Sequence, residues 1–424
     1  MDKHMLLKPT YSKITFLRRI IIAANYIHRA AIVIRLPFFL LLLLISTDFH
    51  QAVEKTNEAQ KVDLKRYLFT ESHGIFNQEY LDHVTEKIDN VLTRVGFNGS
   101  ILISREGQII YENYRGIADY RNREDTINSD TYFQLASVGK QFTAFAVMTL
   151  QELGKFEYDD PVCDYIDDFP YPEITIRQLL NHTSGLQNYM YLLDHYWDKD
   201  YYPDNEDLVD LFVEHDLPLN FWPGRRFAYS NSGYAFLALL VEKVSGKPFA
   251  EYMQEEVFIP LGMNNTFVYD VNNKEEINNR AYGFSGRSRW RFIPDDCHDG
   301  IVGDKGFYST ARDMYRWDQA LTYFAPVSRE NLLLASSRAV LNNGRTVSYG
   351  FGWRLKKVND YDCIYHHGWW HGFRTVFKRI PEKEVLIVIL NNTNSNISGI
   401  TRRITKIVFP DFDIYPEENL AESL

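Results

Sequence analysis

The alternation of apolar and polar residues predicts helices and strands in a definite order along the chain. Apolar residues recur at helical spacing over residues 78–95, 137–153, 233–244 and 397–408, which predicts four amphipathic helices. Between the first two, GSILISREGQIIYENY alternates on either side of residues 105–107, which is typical of a β-hairpin. In the second helix the expected apolar stripe comprises Val138, Phe142, Phe145, Thr149 and Leu153.

Strand-like segments follow near the C-terminus: YGFGWRL, DCIYHH, RTVFKRI and EVLIVIL. Strands joined by short turns favour an antiparallel sheet over parallel units with helical crossovers. The pattern therefore predicts the α+β class, with the hairpin and the C-terminal strands in one sheet and the middle helices beside it. Residues 186–222 are crowded with Tyr, Trp and Asp, and we interpret them as an insertion or lid.

The N-terminal segment differs in charge from the rest of the chain. Residues 1–46 carry seven Lys or Arg and one Asp, a charge of +6, which leaves −16 for the remainder of a chain with net charge −10. The run LPFFLLLLLI suits a signal peptide and is too short to span a bilayer of about 30 Å. A membrane tether through residues 20–45 is the alternative. Either way, we expect an exported body, periplasmic or membrane-anchored and facing outward.

The length and composition of the chain limit how its domains can be organised. We expect a linker over residues 47–76, one folded domain over residues 77–410 and a tail over residues 411–424. An apolar content of 45% is enough for a sizeable core, and the net negative charge argues against a nucleic-acid binder. The three cysteines, Cys163, Cys297 and Cys363, are no disulfide framework and allow at most one bridge.

Ser137 and Lys140 form the first candidate motif, Ser-x-x-Lys, which occurs once in the chain. The motif opens a predicted helix, so both side chains lie one turn apart on one face, and we expect that face to point away from the core. The positive end of the helix favours an oxyanion and disfavours a lysine cation. These residues are interpreted either as a serine nucleophile with a lysine base or as a plain helix cap beside a solvated lysine.

Tyr229 and Asn231 form the second candidate motif, Tyr-x-Asn, between a Pro-Gly turn and a predicted helix. A phenol can exchange a proton with a serine hydroxyl when cations lie nearby, and an asparagine amide can bind a substrate carbonyl. The same string also begins at Tyr111 and Tyr120. The alternative is therefore a turn tyrosine that packs its ring.

His366 and Gly368 form the third candidate motif, His-x-Gly, at the end of a strand-like segment. Residues two apart in a strand share a face, so His366 is expected to point into the site and Gly368 to admit a substrate backbone. The alternative is a metal site that adds Cys363, His367 and His371 to His366, although no zinc-ligand spacing is matched. The motifs of α/β-hydrolases, zincins and P-loop enzymes are absent from the sequence.

The order Ser-x-x-Lys, Tyr-x-Asn, His-x-Gly resembles the penicillin-recognising serine hydrolases. These comprise class C β-lactamases, D,D-carboxypeptidases, D-aminopeptidases and related esterases. The resemblance covers residues 78–408 and is supported by the segments YFQLASVGK, LLNHTSGL, PGRRFAYSNSG, PLGM and GFYST. It implies a five-stranded antiparallel sheet with an all-helical lobe, and a site between the two.

The resemblance also implies roles for the motif residues. Ser137 is similar to the acylated nucleophile, Lys140 to its partner base, Tyr229 to a proton-shuttling tyrosine and Asn231 to the residue that binds the substrate amide. The implied reaction is hydrolysis of an amide or ester bond of a small-molecule or peptide substrate through an acyl-enzyme. No cofactor or metal is implied, and the sequence does not indicate an oligomeric state.

The third motif departs from the family pattern. His366 stands where many members have a lysine, and a histidine is neutral or half-charged near pH 7, so efficient β-lactamase activity is not expected. The backbone N–H groups of Ser137 and Trp369 correspond to the oxyanion hole. Arg374 is a candidate cation for a substrate carboxylate, or else an exposed strand arginine.

The sequence leaves two alternatives to this function open. They are a class C-like β-lactamase, and a non-catalytic ligand-binding or sensor protein on the same fold. One interpretation of the aromatic residues in the insertion is that they line the substrate cleft, which favours an apolar or sugar-bearing substrate. The alternative is that they pack in the core. They are Tyr189, Tyr191, Trp197 and Tyr201.

Overall fold

The computed structural model describes residues 76–410 except 270, 272–276, 287–289, 324–325 and 359. The predicted signal peptide or anchor, the predicted linker up to residue 75 and the predicted tail lie outside the described residues. Within the described part, no helix has the length and apolar character needed to cross a bilayer.

An antiparallel sheet of six strands forms the centre of the described domain. Its strands in chain order are β1 (Gly99–Arg105), β2 (Gln108–Arg115), β3 (Arg354–Val358), β4 (Tyr361–Trp370), β5 (Phe373–Ile380) and β6 (Val385–Asn391). They lie in the order β3-β4-β5-β6-β1-β2 across the sheet, so the N-terminal hairpin joins the C-terminal strands as predicted. The sheet has one strand more than the five that the resemblance implied.

Turn chemistry decides where several strands begin and end. Glu106 and Gly107 both have positive φ, 52° and 75°, which is the type I′ geometry that closes a two-residue hairpin between β1 and β2. The predicted strand YGFGWRL begins only at Arg354. Gly352 has a φ of 77° and lies against the backbone of Gln141, and this close approach breaks the extended conformation.

The described α-helices fall into two groups that cover opposite faces of the sheet. They are α1 (Gln78–Val95), α2 (Lys140–Glu152), α3 (Ile176–Leu180), α4 (Tyr189–Tyr196), α5 (Asp207–Glu214), α6 (Asn231–Ser245), α7 (Phe249–Tyr252), α8 (Ala311–Tyr323), α9 (Arg329–Ala335) and α10 (Ile397–Val408). A π-helical turn, Met253–Phe258, continues α7.

Helices α1 and α10 cover one face of the sheet, and their bounds match the prediction. Asn77 caps α1 by accepting a hydrogen bond from the Tyr80 backbone N–H, and Gly96 ends it with a left-handed φ of 60°. Their apolar faces and the strands form one core, which includes Val84, Ile88, Val376, Ile389 and Ile404.

The remaining helices form a lobe on the other face, around the buried helix α2. Phe142 and Phe145 of α2 pack their rings against Trp317 of α8. Leu153, which we expected in the apolar stripe, lies beyond the helix and is 65% exposed, because the chain turns at Gly154 with a φ of 67°. The first turn of the predicted helix is a 3-10 turn, Ala136–Gly139.

The aromatic segment over residues 186–222 contributes α4 and α5 to the lobe. Tyr189 is fully buried in the core, and Trp197 packs partly buried against it. Tyr191 and Tyr201 are exposed. Short paired strands connect the lobe to the sheet: Ile117–Asp119 with Asn122–Thr126, Phe133–Gln134 and Phe267–Val268 with Phe307–Ser309, Phe284–Ser285 with Arg291–Phe292, and Ala339–Val340 with Thr346–Val347.

Candidate active site

Ser137 lies in the 3-10 turn that leads into the buried helix α2. Its neighbour Ala136 has a φ of 51°, a left-handed conformation that is costly for a residue with a side chain. The Leu135 carbonyl holds this turn in place, because it accepts the Val138 backbone N–H at 3.2 Å and the Thr375 hydroxyl at 2.6 Å. The turn is thereby tied to strand β5, and the Ser137 side chain remains partly exposed at the junction of lobe and sheet.

Lys140 is the first residue of α2, and its side chain is fully buried. Its Nζ donates to the Ser137 Oγ at 3.2 Å, to the Asn231 Oδ1 at 2.8 Å and to the Asp304 carbonyl oxygen at 2.8 Å. The expectation that Lys140 faces away from the core was wrong. Other elements of the lobe surround α2, so the ammonium lies inside the protein, where all three of its protons find acceptors.

Tyr229 lies between two cations. The Lys140 Nζ is 4.9 Å and the Arg354 guanidinium carbon 5.3 Å from the centre of its ring. The Tyr229 Oη is buried and has no hydrogen-bond partner within the described part of the chain. Asn231 begins α6 next to it, and among the described residues its Nδ2 contacts only the weak acceptor Met190 Sδ, at 3.3 Å. That amide N–H is therefore available to a substrate carbonyl.

His366 is buried on strand β4, behind Tyr229. Its Nδ1 lies 2.8 Å from the His367 carbonyl and its Nε2 3.1 Å from the Tyr349 hydroxyl, so both ring nitrogens have partners. Burial, together with the charges of Arg354 and Lys140, lowers the pKa of His366 well below its usual value. The histidine is therefore neutral and supplies no charge for a substrate carboxylate.

Gly368 and Arg374 lie on opposite faces of the sheet. A Cβ atom on Gly368 would overlap the Leu135 carbonyl and Thr375 Oγ1, so this strand approaches the turn that carries Ser137 very closely. Because side chains alternate along a strand, the Trp369 indole and its cross-strand partner Arg374 point to the other face. Arg374 stacks on Trp369 at 4.0 Å, and burial lowers its pKa to about 10. Apart from the Trp369 indole, the structure does not bring the Arg374 side chain together with the other predicted site residues.

The turn after Trp369 is anchored on a buried carboxylate, Asp299. It accepts the Trp370 Nε1–H at 2.7 Å and the His371 Nε2–H at 2.8 Å. Burial alone would raise the pKa of Asp299, but the hydrogen bond from His371 and the charge of Lys305 lower it to about 2. The turn, and with it the backbone N–H of Trp369, is therefore held to the lobe.

The structure does not support the alternative interpretation of Cys363, His366, His367 and His371 as a metal site. Cys363 and His367 share one face of β4, and His366 points to the other, so their ligand atoms do not converge. Among the described residues, the groups of possible ligands that do come together are Asp296 with Cys297 and His298, and Asp296 with Asp299 and His371. None of the three cysteines is paired.

The sequence did not indicate Arg354, Tyr349 or Asp304 as parts of this site. Arg354 comes from the edge strand β3, where an arginine is typical of a solvated edge. Tyr349 falls within a segment that we predicted as a strand. Asp304 contributes its backbone carbonyl, which any residue type would supply. Only His182, in the segment LLNHTSGL, carried a signal, and its ring lies 4.3 Å from that of Tyr229.

Comparison with known proteins identifies the family. The profile of the family described as Beta-lactamase matches residues 85–408. A penicillin-binding protein of Bacillus subtilis (strain 168) is 36% identical over 308 residues, which cover 70% of this chain and 68% of that protein. The D-aminopeptidase of Brucella anthropi is 24% identical over 316 residues, 74% of this chain and 59% of that enzyme.

A solved structure agrees with this assignment. The penicillin-binding protein from Bacillus halodurans superposes with a TM-score of 0.66 at 26% identity, over 76% of this chain and 98% of that one. The chain therefore belongs to the β-lactamase family of penicillin-recognising serine hydrolases, and its α+β fold is that of the family. The family and fold class predicted from the motifs are confirmed.

Proposed function

We propose that this serine hydrolase cleaves an amide or ester bond of a small-molecule or peptide substrate through an acyl-enzyme on Ser137. The observation that carries the proposal is the position of the Lys140 Nζ, 3.2 Å from the Ser137 Oγ and 4.9 Å from the centre of the Tyr229 ring. The name of one relative, D-aminopeptidase, supports an amide bond as the target.

Tyr229 is the group that moves the proton in this mechanism. Lys140 already donates three hydrogen bonds, so it acts as a fixed cation beside the serine. Tyr229 reacts in its deprotonated form, beside Lys140 and Arg354, and its oxygen takes the Ser137 proton while Oγ bonds to the substrate carbonyl carbon. The phenol then gives that proton to the departing nitrogen or oxygen as its bond to the carbonyl breaks. Water reverses these steps and releases the acyl group.

The developing oxyanion is stabilised by backbone N–H groups. Those of Ser137 and Trp369 are the proposed donors, and the close approach of Gly368 to the serine turn supports this pairing. Asn231 binds the substrate amide through its Nδ2. The Asp299 anchor keeps the Trp369 end of the strand at a fixed distance from the serine.

A class C-like β-lactamase is the second candidate, and the neutral, buried His366 argues against it. The carboxylate of a β-lactam would meet no cation from this motif. Slow turnover of nitrocefin with stable acylation by penicillin would agree with the peptidase-like or esterase-like function. Turnover of nitrocefin as efficient as that of the best ester would favour the β-lactamase instead.

Labelling of the serine tests the proposed function directly. A fluorescent fluorophosphonate or penicillin is expected to label the wild type and not Ser137→Ala, and the exposed Ser337→Ala serves as the matched control. The same variants are assayed on p-nitrophenyl esters, D-Ala-D-Ala peptides and nitrocefin, with and without a chelator. A wild type that is neither labelled nor active, while Ser137→Ala still binds ligand, would identify a non-catalytic binding protein.

Export of the domain is also a proposal. It rests on the +6 charge of residues 1–46 and the apolar run that follows those charges. Cell fractionation, with N-terminal sequencing of the recovered protein, distinguishes a cleaved signal from a retained anchor. Recovery of the uncleaved chain from the cytoplasm would contradict it.

A further inference from the structure

His182 accepts backbone hydrogen bonds from both sequence neighbours of Tyr229. The His182 carbonyl oxygen accepts the Ala228 N–H at 3.0 Å, and the His182 Nδ1 accepts the Ser230 N–H at 3.2 Å. These two donors are the residues immediately before and after Tyr229. The conformation of the tyrosine is therefore set by hydrogen bonds to one residue that lies 47 positions earlier in the chain.

The backbone of His182 is arranged for this double contact. Its φ of 58° is left-handed, a conformation that histidine and asparagine adopt more readily than most residues. The neighbouring residues continue the attachment, since the Thr183 carbonyl accepts the Gly224 N–H at 2.8 Å. The segment before Tyr229 is thereby fixed along LLNHTSGL.

The imidazole of His182 has a single protonation state. Burial, together with the charges of Lys140 and Arg354, lowers the pKa of His182 well below its usual value, so the ring is neutral. Because Nδ1 accepts a hydrogen bond, the proton is on Nε2, which has no partner within the described part of the chain. The ring also packs on Tyr229 at 4.3 Å and on Tyr349 at 4.6 Å.

We propose that His182 is a positioning residue that fixes the Tyr229 phenol for proton delivery to the leaving group. The inference rests on the proposed function of Tyr229. His182 neither touches substrate nor exchanges a proton, and it acts through the two backbone hydrogen bonds and the ring contact. Its loss would therefore impair both proton transfers of Tyr229, and a reaction that needs both would lose more than one that needs only the removal of the Ser137 proton.

The choice of leaving group separates these two cases. A methyl ester releases methoxide, which needs a proton as the bond breaks, whereas p-nitrophenolate is stable without one. Both esters carry the same acyl group, the one that the wild type hydrolyses best, and kcat/KM reports acylation for each. For His182→Leu we expect a loss of about 100-fold on the methyl ester, which needs both proton transfers of Tyr229, and of about 10-fold on the p-nitrophenyl ester, which needs only the removal of the Ser137 proton.

Two amide variants refine the test. His182→Asn keeps an acceptor near the position of Nδ1 and tolerates the positive φ, so kcat/KM on both esters should stay within about 3-fold of wild type. His182→Gln carries the same amide one methylene further out and should show the selective loss. If His182→Leu does not fold, the contrast between His182→Asn and His182→Gln still decides the question.

A double variant tests whether His182 acts through Tyr229. Tyr229→Phe should lose activity on both esters, with the larger loss on the methyl ester, and adding His182→Leu to it should cost no more than about 3-fold further. Labelling by fluorophosphonate, whose fluoride leaves without a proton, should slow in the His182 variants by no more than hydrolysis of the p-nitrophenyl ester does, and thermal unfolding reports their folding.

Equal losses on the two esters, or additive losses in the double variant, would overturn the positioning role. A His182→Asn variant as impaired as His182→Leu would do the same. A wild type that hydrolyses neither these esters nor the corresponding amide, and that is not labelled at Ser137, would instead refute the proposed function.

Discussion

Replacing Gly368 by alanine perturbs the contact between strand β4 and the turn that carries Ser137. The new Cβ would overlap the Leu135 carbonyl and Thr375 Oγ1, and it would lie 3.0 Å from Ala136 Cβ. The Leu135 carbonyl and the Ala136 Cβ cannot rotate away, because the backbone of the turn that carries Ser137 fixes the positions of both atoms. The strand and the turn must therefore separate.

The size of the effect follows from that overlap. Relief of a carbon–oxygen clash of this depth needs a movement on the order of 1 Å, since such contacts settle near about 3.3 Å. Overpacking of this kind costs about 1–3 kcal/mol of stability. The same movement separates the N–H groups of Ser137 and Trp369, and a 1 Å misplacement lowers kcat by about 100-fold.

The assay combines kinetics with unfolding. For Gly368→Ala we expect kcat/KM on the best p-nitrophenyl ester to fall by about 100-fold, and the melting temperature to fall as well. The matched control is Gly399→Ala in α10, where the new Cβ would make only ordinary contacts, the nearest at 3.5 Å from Asn396 Nδ2. That control should keep full activity and gain about 0.5–1 kcal/mol of stability. If Gly368→Ala kept wild-type kcat/KM and stability, strand β4 would not be locked against the serine turn, and the assignment of the oxyanion hole would lose its structural support.

Three further perturbations give separate outcomes. Lys140→Met should lower kcat/KM by about 1,000-fold, because the cation beside the serine and tyrosine is lost; a loss under 10-fold would contradict that role. Asp299→Asn should lower the free energy of unfolding by about 2 kcal/mol at pH 7. The depressed pKa means that this stabilisation is present above the unfolded value near 3.9 and disappears as pH falls towards 2, so urea titrations of the two proteins should converge there. Arg354→Ala should reduce kcat/KM on a D-Ala-D-Ala peptide by about 10-fold, whereas Arg374→Ala should stay within 2-fold, and equal losses would show that Arg374 reaches the site.

Part of the fold could be predicted because local signals agreed with the tertiary structure. Helix α1 has an amphipathic pattern, an asparagine cap and a terminal glycine, and its bounds were predicted to the residue. Helix α10 was predicted as well, from periodicity alone. The hairpin of β1 and β2 carries its turn in Glu106 and Gly107. Each of these features depends on residues that are close in sequence.

The errors arose where distant residues decide the conformation. Tyr349 was predicted to lie in a strand. Because Gly352 packs against helix α2, the strand begins only at Arg354, and Tyr349 lies before it. Leu153 fitted the apolar period of α2, yet it lies past the end of that helix and in solvent. Periodicity describes one helix or strand, whereas burial depends on which other elements surround it.

Short patterns of residue types were enough to predict the fold class, the family and the order of the three motifs. Which atoms meet depends instead on how distant parts of the chain pack together. Lys140 contacts Asn231 and Asp304, which are 91 and 164 positions away. Strand alternation sends Arg374 to the far face and leaves Arg354 beside Tyr229. These contacts depend on how the lobe packs on the sheet, and such packing is set by the whole core and not by any local pattern.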